Sequence, residues 1–166
     1  MAAIRQPPFY YVQPIFIIMN AFSKYGEVAI IAVIFLTLFK VAYGQDHRDI
    51  IASTLILEAG GEYSTGAMEA VHEVICNRSS ARRISKMDAC LQYKQFSCWN
   101  SGQLASLVVK SKQHRRYAEA LAIVDGYPTN YAFGADHYHA DYCHPYWADS
   151  MTATTKIGRH IFYKSK

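Results

Sequence analysis

Between Glu27 and Lys40 the chain runs for twelve residues, Val28 to Phe39, without a charge, and "AYG" (Ala42, Tyr43, Gly44) follows closely. A stretch of that kind belongs to a membrane or an export route rather than to a soluble core. It is short for a bilayer span of about 20 residues, but it matches the apolar region of a signal peptide, and small residues at 42 to 44 suit a signal peptidase. Cleavage after Gly44 is the simplest expectation. The lead-in "MAAIRQPPFYYVQPIFIIMNAFSK" is itself apolar from Phe9 to Ile18 and broken by Pro14. Translation from Met19 leaves an ordinary export signal, and an uncleaved anchor made of both apolar runs is the alternative. Residues 1–44 are therefore read as a signal peptide or membrane anchor, and residues 45–166 as the working part, exported to the cell envelope. Roughly 120 residues make one domain.

Export bears on the cysteines and on the charge. Cys76, Cys90, Cys98 and Cys143 are an even number, which outside the cytoplasm permits one or two disulfides. Cys76 lies on an apolar helical pattern and fits a small core residue equally well. From Arg78 to Arg116 nine Lys and Arg stand against one acid, Asp88, a balance of +8 within a chain of net charge +4. Such a face suits an anionic polymer, either nucleic acid or bacterial envelope, or is simply solvated. Export favours the envelope, so no nucleic-acid partner is expected.

Along the remaining chain, "DHRDIIASTLILEAGGE" reads as a helix opening near Asp46 or Asp49 and stopping at Gly60-Gly61, where glycine allows a left-handed turn. A second helix is expected from about Thr65, a plausible N-cap, to Asn77, with Met68, Val71 and Ile75 at helical spacing. From Arg78 to Asn100 no clean period survives, which argues for loops and short turns. Leu104, Leu107 and Val108, then Tyr117, Leu121 and Val124, suggest one or two helices ending at Gly126, with Pro128 barring continuation. Beyond Phe133, "GADHYHADY" and "IGRHIFYK" alternate enough for short strands. The fold class is mainly α with a small extended or β part, α+β.

Ile51, Leu55 and Glu58 stand at i, i+4 and i+7, so the first helix carries a carboxylate on its buried stripe. Burial disfavours the charged form, and so does the negative end of the helix dipole at Gly60-Gly61; both predict a raised pKa. A carboxylic acid that keeps its proton near neutral pH is what glycosidic cleavage needs, because the leaving oxygen must be protonated as its bond breaks. A frayed, solvated helix end is the plainer reading of the same pattern. Glu62, past the glycines, is the rival acid, in a loop where hydration makes it more ordinary.

Three blocks occur in order: "ILEAGGEYSTGAMEAVHEVICNRS" (Ile56 to Ser79), "QFSCWN" (Gln95 to Asn100) and "GADHYHADYCHPYWADSMTATTKIGRHIFYK" (Gly134 to Lys164). Together they resemble the SleB-type cell wall hydrolases, whose signature joins a Glu-Ala-x-Gly-Glu turn, Asn-Arg, Gln-Phe-Ser, Tyr-His, Pro-x-Trp and Ile-Gly-x-His-x-Phe-Tyr. The resemblance spans about Asp49 to Lys164. Three ordered blocks are far more specific than one motif. The resemblance implies a lysozyme-like fold of the lytic transglycosylase type, acting between N-acetylmuramic acid and N-acetylglucosamine. It implies Glu58 as catalytic acid, Glu62 as the second acid of the motif, and Gln95, Tyr138 and His139 as lining of the substrate cleft. Gly61 matches the signature glycine, and Gly60 its variable position.

Ordinary glycoside hydrolysis uses two carboxylates. Only Glu58 is clearly placed, and a lytic transglycosylase needs one, so cleavage without water is expected ahead of a hydrolytic muramidase. The implied partner is the peptidoglycan glycan strand, met by a monomer that uses no cofactor. A zinc-dependent amidase or peptidase would draw on His137, His139, Cys143 and His144, but their spacing is not a strong zinc pattern, and no metal is expected. A non-catalytic wall-binding module would rest on aromatics such as Trp99 and Trp147, which are as apt to pack in a core as to stack on sugar.

Overall fold

The computed structural model describes residues 47–64 and 66–166. The expected signal or anchor segment, Thr65 and Asp46 lie outside the described residues. Among the described residues no helix is long and apolar enough to cross a membrane.

Helix α1 (His47–Ala59) forms the centre. Ile50, Ile51, Ala52, Leu55 and Ile56 are buried together with Ser53 and Thr54, so it is enclosed on most sides and not on one stripe alone. The Thr54 hydroxyl meets the Ile50 carbonyl at 2.9 Å, which lets a polar side chain sit inside. Around it pack α2 (Ala67–Arg82), α3 (Lys86–Leu91), α4 (Leu104–Lys112) and α5 (Tyr117–Asp125). The core joins Leu55, Met68, Val71, Ile75, Phe96 and Val108.

The end of α1 differs from the left-handed glycine turn expected there. Neither Gly60 nor Gly61 has a positive φ. Gly60 is required for space: its N–H bonds the Ile56 carbonyl at 2.9 Å, and a Cβ on it would lie 2.4 Å from that oxygen. Gly61, the signature glycine, has nothing within 4 Å of an added Cβ.

Helix α2 runs past the expected end at Asn77 to Arg82. Its last turn is polar, so hydrophobic period fades while the helix continues, and it stops where Arg83 turns left-handed at φ 53° and donates to Ser79 and Ser80 carbonyls. The segment expected to be irregular also contains α3 and a 3-10 turn at Ser97–Trp99. Ser85 caps α3, its hydroxyl accepting from the Asp88 N–H at 3.0 Å. Two helices, α4 and α5, fill the next stretch, and α5 ends at Gly126 as expected.

Three antiparallel strands close the chain: β1 (His137–Ala140), β2 (Thr152–Ile157) and β3 (His160–Lys164), in the order β1-β3-β2. β3 pairs Phe162 with Tyr138 on one side and with Thr155 on the other, across a bulge in β2 between Ala153 and Thr155. Phe162, fully buried, packs with Ala70 and Val74 of α2 and with Ala132 and Ala135 of the preceding loop. This second small core fixes β1 against the helices, and thereby fixes what β1 carries.

All four cysteines are free thiols, so neither one nor two of the bridges that export would permit is made. Cys76 and Cys90 are core residues, and burial pushes the Cys90 thiol up to about 12. The basic stretch is not one face either. Arg78 is buried, Lys112 pairs with Asp49, and Arg116 pairs with Glu119.

His72 of α2 is 1% exposed, with Nε2 at 3.5 Å from the Cys76 sulfur and 3.4 Å from Lys86 Nζ. Burial, and then the Lys86 charge, lowers its pKa from 6.5 to about 4. The folded imidazole stays neutral where the unfolded one takes a proton, so between these values the unfolded state binds more protons. Stability is therefore complete above pH 6.5 and declines as pH falls toward 4, by as much as about 3 kcal/mol. Urea unfolding at several pH values should show this slope, and His72→Gln should flatten it. An equally steep slope in the variant would assign the acid sensitivity elsewhere.

Candidate active site

Glu58 lies in the last turn of α1, half-buried, where the helix delivers it to the wall of a cleft of about 980 Å³. Its two oxygens are held from two other parts of the chain. The Tyr138 hydroxyl of β1 donates to Oε2 at 2.8 Å, and the Cys98 backbone N–H of the 3-10 turn reaches Oε1 at 3.5 Å. Burial holds the Tyr138 phenol well above its ordinary pKa, and the Glu58 charge acts in the same direction, so Tyr138 keeps the proton it donates. The Cys98 thiol is raised for the same two reasons, burial and then Glu58, which keeps it protonated and a poor nucleophile.

Two buried charges that periodicity did not single out hold these parts in register. Arg78 of α2 donates from Nε to the Asp136 carbonyl at 2.6 Å and from Nη1 to the Gln95 carbonyl at 3.0 Å, with its guanidinium 4.9 Å from the Phe96 ring centre. It thus ties the start of β1 to the segment that leads to Cys98. Glu73, 4% exposed, accepts the Ala132 N–H at 2.8 Å and the Gly134 N–H at 2.7 Å, fixing the loop that enters β1. Both satisfy backbone groups that would otherwise be buried unpaired.

The sequence-predicted residues fall into three places. Glu58, Gln95, Tyr138 and His139 all line the cleft, and Glu58 is its one carboxylate among the described residues. Tyr138 and His139 point to opposite faces of β1. Tyr138 packs against Phe96 and Phe162 and meets Glu58, whereas His139 stacks on Tyr163 at 5.1 Å and bonds its hydroxyl at 3.0 Å. The side chain of Gln95 accepts from Arg82 at 2.9 Å. Glu62 stands apart from this lining, at the turn between β2 and β3. A Cβ on Gly158, which has φ 58°, would come within 2.5 Å of its Oε2, so glycine there provides both the left-handed turn and the room for Glu62.

His160 also lines the cleft, 8% exposed and edge-on to Tyr138 at 5.2 Å. Burial lowers its pKa, while Glu62 and Glu58 oppose that shift. The imidazole stands edge-on beside Tyr138, the residue that holds Glu58. The alternation of "IGRHIFYK" did not distinguish it from a strand residue facing the core; the signal that could have found it is its place as the histidine of the Ile-Gly-x-His-x-Phe-Tyr signature.

The residues weighed as zinc ligands are engaged separately. His137 pairs with Asp136, His139 with Tyr163, His144 with Asp149, and the Cys143 sulfur with the Ala140 carbonyl. Among the described residues no group of three His, Cys, Asp or Glu is placed to hold a metal ion. Of the two tryptophans, Trp99 packs on the core and donates to the Thr54 hydroxyl at 3.1 Å, and Trp147 lines the cleft against His137 and His139.

A model of the cell wall hydrolase family matches residues 61–163. The matched segment begins just after Glu58 and takes in Glu62, Arg78, Gln95, Tyr138, His139 and His160. Among solved structures, the catalytic domain of the Bacillus cereus SleB protein is similar, with a TM-score of 0.51 at 18% identity over 74% of this chain and 92% of that one. At that identity the likeness is one of fold, mainly α with a small sheet. No curated protein sequence matches the chain.

Proposed function

The chain belongs to the cell wall hydrolase family, and from that premise we propose that it cleaves the glycan strand of peptidoglycan between N-acetylmuramic acid and N-acetylglucosamine, as a lytic transglycosylase with Glu58 as its acid. The observation that carries this reading is Glu58, the one carboxylate that the described residues place in the cleft, held at the end of a buried helix by the Tyr138 hydroxyl and the Cys98 N–H. Two positioned donors and a packed helix limit its freedom, as an acid that must meet one oxygen requires.

In the proposed reaction Glu58 gives its proton to the bridging oxygen as the C1–O bond of the muramoyl residue breaks. The carboxylate left behind then takes the proton of that residue's own C6 hydroxyl, whose oxygen attacks C1 and closes an anhydro ring. Glu58 ends protonated, and no water is consumed. The muramoyl acetamido group can shield the cationic centre between the two steps, as in substrate-assisted glycosidases. Tyr138 is the positioning residue for the carboxylate. Glu58 is the one carboxylate that the described residues place on the cleft wall, and these steps need one acid, whereas the alternative, hydrolysis, draws on two.

The wall as substrate agrees with an export segment at residues 1–44, which we propose as signal peptide or anchor, with 45–166 as the domain that acts in the envelope as a monomer. Mass spectrometry of digested peptidoglycan separates the two chemistries. Anhydro-muramoyl ends are expected; reducing muramoyl ends alone would reject transglycosylation and leave hydrolysis.

A further inference from the structure

We propose that Lys94 is a specificity-determining residue that binds a carboxylate carried on the lactyl arm of a muramoyl residue next to the scissile bond. The inference rests on the glycan-cleaving reading above and names which feature of the strand the cleft recognises.

Two cations line the cleft, Arg78 and Lys94. Arg78 is buried and its donors are committed to the carbonyls of Asp136 and Gln95. Lys94 is exposed and, among the described residues, forms no ion pair; its ammonium rests 5.0 Å from the ring centre of Tyr93, itself 79% exposed. A cation over an exposed ring, on the wall of a substrate cleft, is free to meet an anion that arrives with substrate.

The backbone also sets Lys94 in place. It has φ 62°, a left-handed conformation that a lysine adopts at a cost of about 1 kcal/mol, and the turn is closed by the Gln95 N–H on the Gln92 carbonyl at 3.0 Å. Immediately after it, the Gln95 carbonyl is pinned by Arg78, and four residues on, the Cys98 N–H touches Glu58. Four residues span at most about 14 Å of extended chain, so Lys94 stands within a short oligosaccharide's reach of the acid.

A peptidoglycan strand has uncharged sugar rings, and its anions hang from the lactyl ether of muramic acid. They are the lactyl carboxylate itself where the stem peptide has been removed, or the carboxylates of the peptide where it remains. Both present the same group to a lysine. Neutral glycan would gain nothing from Lys94.

The test measures kcat/KM of the full chain on soluble strands of three kinds: peptide-bearing, amidase-stripped with free lactyl carboxylates, and stripped with those carboxyls converted to neutral methylamides. The wild-type protein should prefer a carboxylate-bearing strand over the neutral one by about fivefold, the size of a half-exposed ion pair, and the preference should shrink with added salt. Lys94→Asn, an uncharged residue that tolerates the left-handed turn, should bring that ratio to about one, and Lys94→Arg should restore it. Preference for stripped strands identifies the lactyl carboxylate as the ligand, and preference for peptide-bearing strands identifies the stem. A ratio of one in the wild type, or an unchanged ratio in Lys94→Asn, overturns the proposal. Failure of the wild type to cut any of the three would instead overturn the glycan-cleaving reading.

Discussion

Glu58→Gln should lower strand cleavage by about 10²- to 10⁴-fold, the range that a positioned acid contributes, while leaving the fold and wall binding in place. Glutamine has nearly the shape of glutamate, and its one carbonyl oxygen can still accept the Tyr138 hydroxyl, the shorter of the two bonds that hold the side chain. What is lost is the transferable proton and the base that follows it. Pelleting with insoluble peptidoglycan should therefore be retained, which separates an acid from a binding residue. Wild-type activity in Glu58→Gln would move the proton transfer to Glu62 or remove the one-acid mechanism altogether.

The second large effect is on stability. Glu73→Ala should destabilise the domain by about 2–4 kcal/mol, because it removes the acceptor of the Ala132 and Gly134 N–H groups and leaves two backbone donors without a partner. Those donors belong to the loop that enters β1, so Tyr138 should lose its placement as the loop loosens. Denaturant unfolding gives the first number, and cleavage assayed well below the unfolding transition gives the second. Glu73→Gln is the sharper comparison, since one amide can accept at one of the two sites only. A Glu73→Ala protein as stable as the wild type would mean that water or a shifted loop satisfies both donors.

The first helix, and with it the place of Glu58 in its last turn, was legible from period, because Ile51, Leu55 and Glu58 share a face and Gly60 follows them. What ends the helix was not, since the reason for Gly60 is the Ile56 carbonyl 2.4 Å from where a Cβ would be, a contact and not a turn type. Helix α3 hid because one and a half turns are too short to show a period, although Ser85 and Asp88 at its start are a readable cap. The strands were half legible: the alternation at 137–140 and 160–164 pointed to them, while the Thr-rich β2 passes as a polar loop until β3 pairs with it.

The candidate site divides in the same way. Tyr138 and His139 were singled out together by resemblance, but only docking of β1 onto Phe162 and Phe96 decides that Tyr138 faces Glu58 while His139 faces Tyr163. Glu73 escaped, and Arg78 was marked only as part of the Asn-Arg signature, because a charge on a helix reads as solvent-facing unless its backbone partners are known. Those partners lie 58 residues away for Arg78 and Asp136, and 59 for Glu73 and Ala132. Periodicity carries no information at such separations; burial of the peptide groups they satisfy does.

The most direct test of the assignment is to identify the new chain ends released when the full protein digests purified peptidoglycan, with Glu58→Gln run in parallel. Anhydro-muramoyl sugar ends that form with the wild type and vanish with the variant are the expected result. New amino or carboxyl ends from cut stem peptides, with the glycan strands left whole, would contradict it.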